Sequence, residues 1–328
     1  MNCNICKCGG TLSNLGHRCT TQFDEPVMVV LVPTFDSSGA TNGILKTQTL
    51  NKAYFDSMVN HADPTKRWYP MPKIKEVSNK RAEPNYWEFS DQSKQFLFEG
   101  ARNFTALITS ESGSGATAPA MKKQIESARC SDGMSVFIFS VSRQILGKNS
   151  DDNLSIEPIQ IDEQSIYAGF MFSSQVDKKN QHLALSFNFA ATEKDDNLVW
   201  IACSELEGYD ILLMKALLDI CYELVDQTVT TLKIKLVTKE IFGSAINPFT
   251  ADGLVVGDFV SSDSGTASRI YNATDDSDVT ITGVVESPDG TYELTFSAQT
   301  WGDALVPYAS KTGYDFTCMK ENPVEVAS

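Results

Sequence analysis

Apolar and polar residues alternate with period two along much of this chain, and that pattern excludes most architectures before composition is consulted. The run "HLALSFNFAAT" sets Leu183, Leu185, Phe187 and Phe189 on one face of an extended segment. "LSIEPIQIDEQSIYAGFMFSS" alternates in the same way and reads as a half-buried strand pair, whereas "DEPVMVVLVPTF" and "MSVFIFSVSRQILG" are denser runs suited to buried strands. From about Gln227 onward short strand-like runs recur at spacings of about 8 to 12 residues. They are "VTTLKIKLV", "GLVVGDFV", "DVTITGVVE", "TYELTFSA" and "GYDFTCM". The turn "SPDG" ahead of Thr291 is a hairpin signal, with Pro288 pre-set for a turn and Gly290 free to take positive φ.

The class expected is therefore mainly β (α+β). A first β domain occupies residues 1–225, and an immunoglobulin-type β-sandwich occupies residues 226–328. Helical spacing occurs in three places. Leu50, Ala53, Tyr54 and Met58 predict a helix closed by Pro64. Pro119 opens a second, from Pro119 to Arg129, with Met121, Ile125 and Ala128 on one face. Leu213, Ala216, Leu217, Ile220 and Leu224 fit a third, read as a helical connector from Tyr209 to Val225. Residues 66–90, "KRWYPMPKIKEVSNKRAEPNYWEFS", are dense in proline, charge and aromatic rings, as in an extended, partly exposed arm. The loop "SESGSGATAPA" is flexible by composition.

The 328 residues carry a net charge of −15, unevenly distributed. From Glu240 to the end there are 14 acidic against 3 basic residues, and the first 239 residues hold 28 against 24. No basic stripe interleaved with aromatics is present, which disfavours tight nucleic-acid binding. No stretch approaches the roughly 20 apolar residues of a membrane-spanning helix, so no membrane insertion is expected. No basic segment followed by an apolar one opens the chain, and its 8 cysteines are diluted over its length, so reduced thiols are expected.

Cys3 and Cys6 have zinc-knuckle spacing, and His17 with Cys19 would complete four ligands. One residue separates the second pair and Cys8 is left over, so the expectation is no cofactor and small apolar thiols packing an N-terminal turn. A closed four-ligand site would in any case staple a fold and leave no place for substrate. His17, His61 and His182 are the only histidines and none sits in a nucleophile motif, so no catalytic residues are expected. The carboxylate groups Asp151 with Asp152, Asp195 with Asp196, and Asp275 with Asp276 and Asp278 lack the spacing of a calcium loop. Trp68, Tyr69, Tyr86 and Trp87 are the residues that ask for a partner. Four large rings in so irregular a stretch read as anchors on a neighbouring subunit, or as a platform for sugars.

The segments "KRWYPMPKI", "RAEPNYWEFSDQSKQFLFEGARNFTALI" and "SFNFAATEKDDNLVWI" resemble structural virion proteins of tailed bacteriophages that infect Bacteroidetes, and among them the major tail tube family. "GLVVGDFV" with "VVESPDGTYELTFSAQ" is similar to immunoglobulin-like domains of bacterial surface and phage decoration proteins. The resemblance implies a tail-tube-like β-sandwich formed by strands between Val27 and Phe189, with the helix from Pro119 to Arg129 as its flanking helix. It also implies a non-enzymatic structural protein made in the bacterial host cytoplasm and located in the virion tail. Copies would close into rings, expected to be hexameric, that stack into a tube. Its partners would be itself and other virion tail proteins, with DNA passing through during ejection without specific binding and the immunoglobulin-like domain decorating the outside. Two alternatives remain open at the level of sequence: a carbohydrate-binding module that uses the exposed aromatics, and a capsid decoration or head-to-tail ring protein.

Overall fold

The computed structural model describes residues 23–98, 100–109, 119–131, 133–171, 182–239, 249–262, 265–320 and 323–326. The chain is mainly β, of sandwich type, and divides into two compact units, Met1–Ala216 and Leu217–Ser328. Among the described residues no helix is long and apolar enough to cross a membrane.

The core of the first unit is organised by two strands, Pro26–Pro33 and Met134–Ser140, that run antiparallel with Val30 opposite Phe137. All seven residues of the second strand are buried, as befits a strand covered on both faces. Strand Ile159–Met171 carries the sheet from one layer into the other. It pairs with Met134–Ser140 at Ile159 and Gln160, then with His182–Phe189 from Ile161 onward, across a bulge between Asp162 and Tyr167. The second layer continues through Arg102–Thr109 to the edge strand Ile74–Arg81. Leu183, Leu185, Phe187 and Phe189 all point into the core, the face that the alternation predicts. They meet Phe104, Ile108, Val29 and Ile138 there.

Helix α1 (Lys52–Val59) is capped by Asn51, whose side chain accepts from the Tyr54 N–H. It buries Phe55 and Val59, one position round from the expected stripe, and leaves Ala53 exposed. Helix α2 (Pro119–Ser127) lies against strand Ile159–Met171. Ile125 is buried, and Met121 and Ala128 are packed beside it, as the spacing predicts. Gln164 Nε2 donates to the Arg129 carbonyl at 2.9 Å and helps hold that flank.

Several expectations are corrected. The segment from Tyr209 to Val225 is not a helix: a short turn, Ile211–Leu213, leads into strand Leu218–Gln227, which pairs with Thr231–Thr238. Leu213 and Leu224, spaced as if for one helical face, are exposed, so their spacing is coincidental and strand pairing overrides it. The second unit accordingly begins at Leu217, ahead of the expected boundary at 225. Trp68 is not an interface residue. Only 3% exposed, its ring lies 5.0 Å from Phe137 and 5.9 Å from Phe55, and its backbone N–H donates to the Met58 carbonyl. It fastens α1 to the sheet. Tyr69 sits opposite Leu31 in the short strand Tyr69–Pro70, half-buried against the core cluster that holds Val29 and Leu31.

The second unit is one eight-stranded sheet around its own core, antiparallel except where Tyr314–Asp315 joins Leu218–Gln227. The turn before Thr291 forms as the sequence predicts. Gly290 adopts φ +75°, and a Cβ there would lie 2.4 Å from Thr250 Cβ, so no other residue fits without displacement. Cys221 and Cys318 are joined by a disulfide, which corrects the expectation of reduced thiols; Cys203 is disulfide-bonded as well.

Because Trp68 lies at the centre of an aromatic cluster, Trp68→Ala should destabilise the first unit by about 3–5 kcal/mol, measured as a shift in its denaturant midpoint. A loss below about 1 kcal/mol, as expected of a surface ring, would contradict this placement.

Candidate interaction surface

Strands Ile74–Arg81 and Arg102–Thr109 are the base of a long hairpin, and its distal half leaves the sheet. Beyond the hydrogen bond from Ala82 N–H to the Ala101 carbonyl, the chain forms a separate two-stranded ribbon, Asn85–Glu88 with Lys94–Phe98. Every residue from Ala82 to Leu97 is exposed. The ribbon nonetheless carries Tyr86, Trp87, Phe89, Phe96 and Leu97, with Trp87 59% exposed. Tyr86 and Phe96 face each other across the strands, edge to face at 6.0 Å. Trp87, the next residue along, points to the opposite face. The ribbon is apolar on both sides, and among the described residues of its unit nothing covers either.

The tip closes through residues 89–93. Phe89 N–H donates to the Ser93 carbonyl, Gln92 takes φ +66°, and Asp91 Oδ1 accepts from the Ser93 amide and hydroxyl. Those bonds, the hydroxyl's first, hold the Asp91 carboxyl below the usual carboxylate range.

Where ribbon and sheet part, the backbones come close: a Cβ on buried Gly100 would lie 2.3 Å from the Ala82 carbonyl oxygen, which only glycine permits. Beside this crossing, Arg81 and Arg102, directly opposite in register, share one carboxylate. Arg81 binds Asp195 through Nη2 at 2.9 Å and Nε at 3.3 Å, and Arg102 Nη1 donates to the same carboxylate at 2.7 Å. Arg81 Nη1 also reaches the Gly100 carbonyl, Arg102 Nε reaches Asn79 Oδ1, and the Arg102 guanidinium lies over the Phe189 ring. Asp195 stands in the turn Asp195–Asn197 beyond the strand ending at Phe189, so the clamp ties the arm's root to the neighbouring strand. The hydrogen bond from Arg81, the largest cause, holds its carboxyl below the ordinary value.

The four aromatic residues expected at an interface thus separate into two pairs. Tyr86 and Trp87 are presented outward, while Trp68 and Tyr69 belong to the fold. The arm leaves the sheet at Ala82 rather than beginning at Lys66, and its fixed root is what the sequence reading missed, along with Phe89, Phe96 and Leu97. The alternation on either side of "SDQS" is the signal that marks the hairpin. Cys3, Cys6, His17 and Cys19 lie outside the described residues, as does most of the "SESGSGATAPA" loop. Among the described residues no group of three or more His, Cys, Asp or Glu could hold a metal ion. The acidic groups have local partners: Asp152 accepts from Ser150 and Leu154, Asp195 holds the two arginines, and Asp276 accepts from the Tyr271 hydroxyl. His61 Nδ1 accepts from the Asp63 N–H in the turn after α1.

No protein-family model matches the chain, and no curated protein matches it.

Replacing the shared carboxylate by Asp195→Asn leaves two guanidinium groups side by side. For a half-exposed clamp worth about 1 kcal/mol, trypsin should cut at Arg81 and Arg102 roughly fivefold faster. In the wild type, the depressed carboxyl means the clamp is fully present above the ordinary carboxylate pKa of about 3.9 and is lost only as pH falls through the lower folded value. Arm-root amide exchange, corrected for its intrinsic pH dependence, should therefore hold steady from about pH 7 to about pH 5; loss of protection within that range would contradict the assignment.

Proposed function

We propose that this protein is a non-enzymatic structural subunit that assembles with copies of itself, as a tail tube protein of a tailed bacteriophage does. One observation carries the reading: a ribbon apolar on both faces, every described residue of it exposed, standing on a fixed root. Two strands alone are marginal in water, and five exposed large apolar side chains on one short ribbon are an interaction surface rather than ordinary exposure. A ribbon with rings on both sides is suited to insertion between surfaces, as an arm reaching from one ring of subunits into the next requires. The edge strand behind it is poorly suited to pairing with another sheet. Glu76 takes φ +51° within a bulge between Lys75 and Ser78, and Lys75 and Lys80 are exposed along it, all features that block edge-to-edge contact. Association therefore falls to the side chains of the tip.

The charge is compatible with the role. The first unit is only mildly acidic, so a conduit built from it would not hold the DNA phosphates. The acid concentrated in the second unit, decorating the outside, would keep assembled particles apart. The virion location and the other tail proteins as partners belong to the same proposal. The exposed Trp87 also fits a platform for sugars, the second reading. A sugar platform needs rings on one face, however, and here they stand on both.

Negative-stain microscopy of the purified chain over a concentration series separates the two. Rings or tubes are expected for the wild type, and dispersed single particles with unchanged thermal unfolding for Tyr86→Ala/Trp87→Ala/Phe96→Ala. A wild type that stays monomeric at every concentration and binds a glycan array through Trp87 would overturn the proposal in favour of the sugar-binding reading.

A further inference from the structure

The eight strands of the second unit run in the order 314–315, 218–227, 231–238, 291–296, 277–287, 269–272, 304–306, 324–325. The first and last in that order are Tyr314–Asp315 and Val324–Glu325, so both ends of the sheet belong to the C-terminal segment of the unit. Only residues 316–323 lie between them, and helix α3 (Thr317–Lys320) shortens that span further. Eight residues bridge at most about 28 Å even when fully extended. Eight strands lying flat would span about 34 Å, so the sheet must curve, and the described residues of 314–326 form the seam that links its two ends. Gln227, at the end of strand Leu218–Gln227, donates from Nε2 to the Glu325 carbonyl across this seam.

Two kinds of attachment hold the seam. The first is burial: Phe316, Met319, Val324 and Val326 are each no more than 5% exposed in the core of the unit. The backbone adds hydrogen bonds from Val326 N–H to the Asp303 carbonyl and from Gly302 N–H to the Val326 carbonyl, and Lys320 lies over the Tyr308 ring. The second is covalent. Cys318 of α3 is bonded to Cys221 of strand Leu218–Gln227, with Cα atoms 5.2 Å apart and a sequence separation of 97. Both cysteines are only half-buried, so a small oxidant reaches them in the folded unit.

We infer that the second unit folds with Cys221 and Cys318 as thiols and is locked afterwards by oxidation, a redox-sensitive clasp on the seam of its sheet. Four buried apolar side chains dock the segment without the bond, and docking brings the two sulfurs together. In the locking step a small-molecule disulfide, such as oxidised glutathione, accepts two electrons and two protons from the two thiols and leaves as two thiols while the Sγ–Sγ bond forms. The bond then removes freedom from the unfolded chain over a long loop, which is where a crosslink stabilises most. The inference is independent of the assembly role proposed above.

The test compares three samples of the full chain: wild type kept reduced, wild type treated with oxidised glutathione, and Cys221→Ser/Cys318→Ser, which separates this bond from that of Cys203. Peptide mapping of alkylated thiols follows the two cysteines, and calorimetry with protease digestion follows the unit. The reduced wild type should be folded with its C-terminal segment protected. Oxidation should raise the unfolding midpoint of the unit by on the order of 10 °C. The double variant should match the reduced protein and not respond; should it fail to fold, Cys221→Ala/Cys318→Ala replaces it, and the reduced wild type still decides the question. A second unit that is unfolded when reduced would overturn the inference, because the bond would then be needed for folding. A midpoint and C-terminal protection that ignore oxidation would overturn it as well.

Discussion

A two-stranded ribbon cannot bury a ring on both of its faces, and that limit governs how the rest of this protein is to be understood. Ordering backbone costs about 1–2 kcal/mol per residue, normally offset by burial against a third element. From Ala82 to Leu97 there is no such element among the described residues of the unit. The conformation is set instead at the root, where Gly100 lets the two backbones cross and Asp195 draws Arg81 and Arg102 together. The root fixes the direction of the arm, and the exposed rings supply the apolar surface that another molecule would cover.

The base of the arm supports that geometry in an ordinary way. Phe104 and Phe187 stack at 4.9 Å beneath it, and the strand of Phe187 leads into the turn that carries Asp195. Burial in the core thus positions a charged clamp at the surface, and the clamp positions the ribbon. Trp68 does comparable work on the other side of the sheet, where it binds α1 to Phe137. A proline-rich stretch that contains both Trp68 and Trp87 therefore spends one ring on the fold and leaves the other outside it.

What the sequence reveals depends on how local the physics is. Period two gives the buried face of strand His182–Phe189 residue by residue, and the helical spacing after Pro119 gives the face of α2, because both patterns lie within one element. The turn at Gly290 is legible for the same reason. Trp68 and Trp87 are indistinguishable from their neighbours in sequence, since what separates them is whether a distant phenylalanine lies above the ring. Asp195 is 114 positions from Arg81, and Cys221 is 97 from Cys318, so neither pairing leaves a local trace. The strand at Leu218–Gln227 is masked by leucines that fall by chance at helical intervals and is decided by its partner, Thr231–Thr238.

The central claim is that another copy of the chain completes the ribbon. Hydrogen exchange at the amides of residues 85–97, followed from dilute to concentrated protein, tests it most directly. The account predicts near-intrinsic exchange in dilute protein and strong protection that appears together with assembly. Exchange that stays fast in assembled particles, or protection already complete in the dilute monomer, would contradict it.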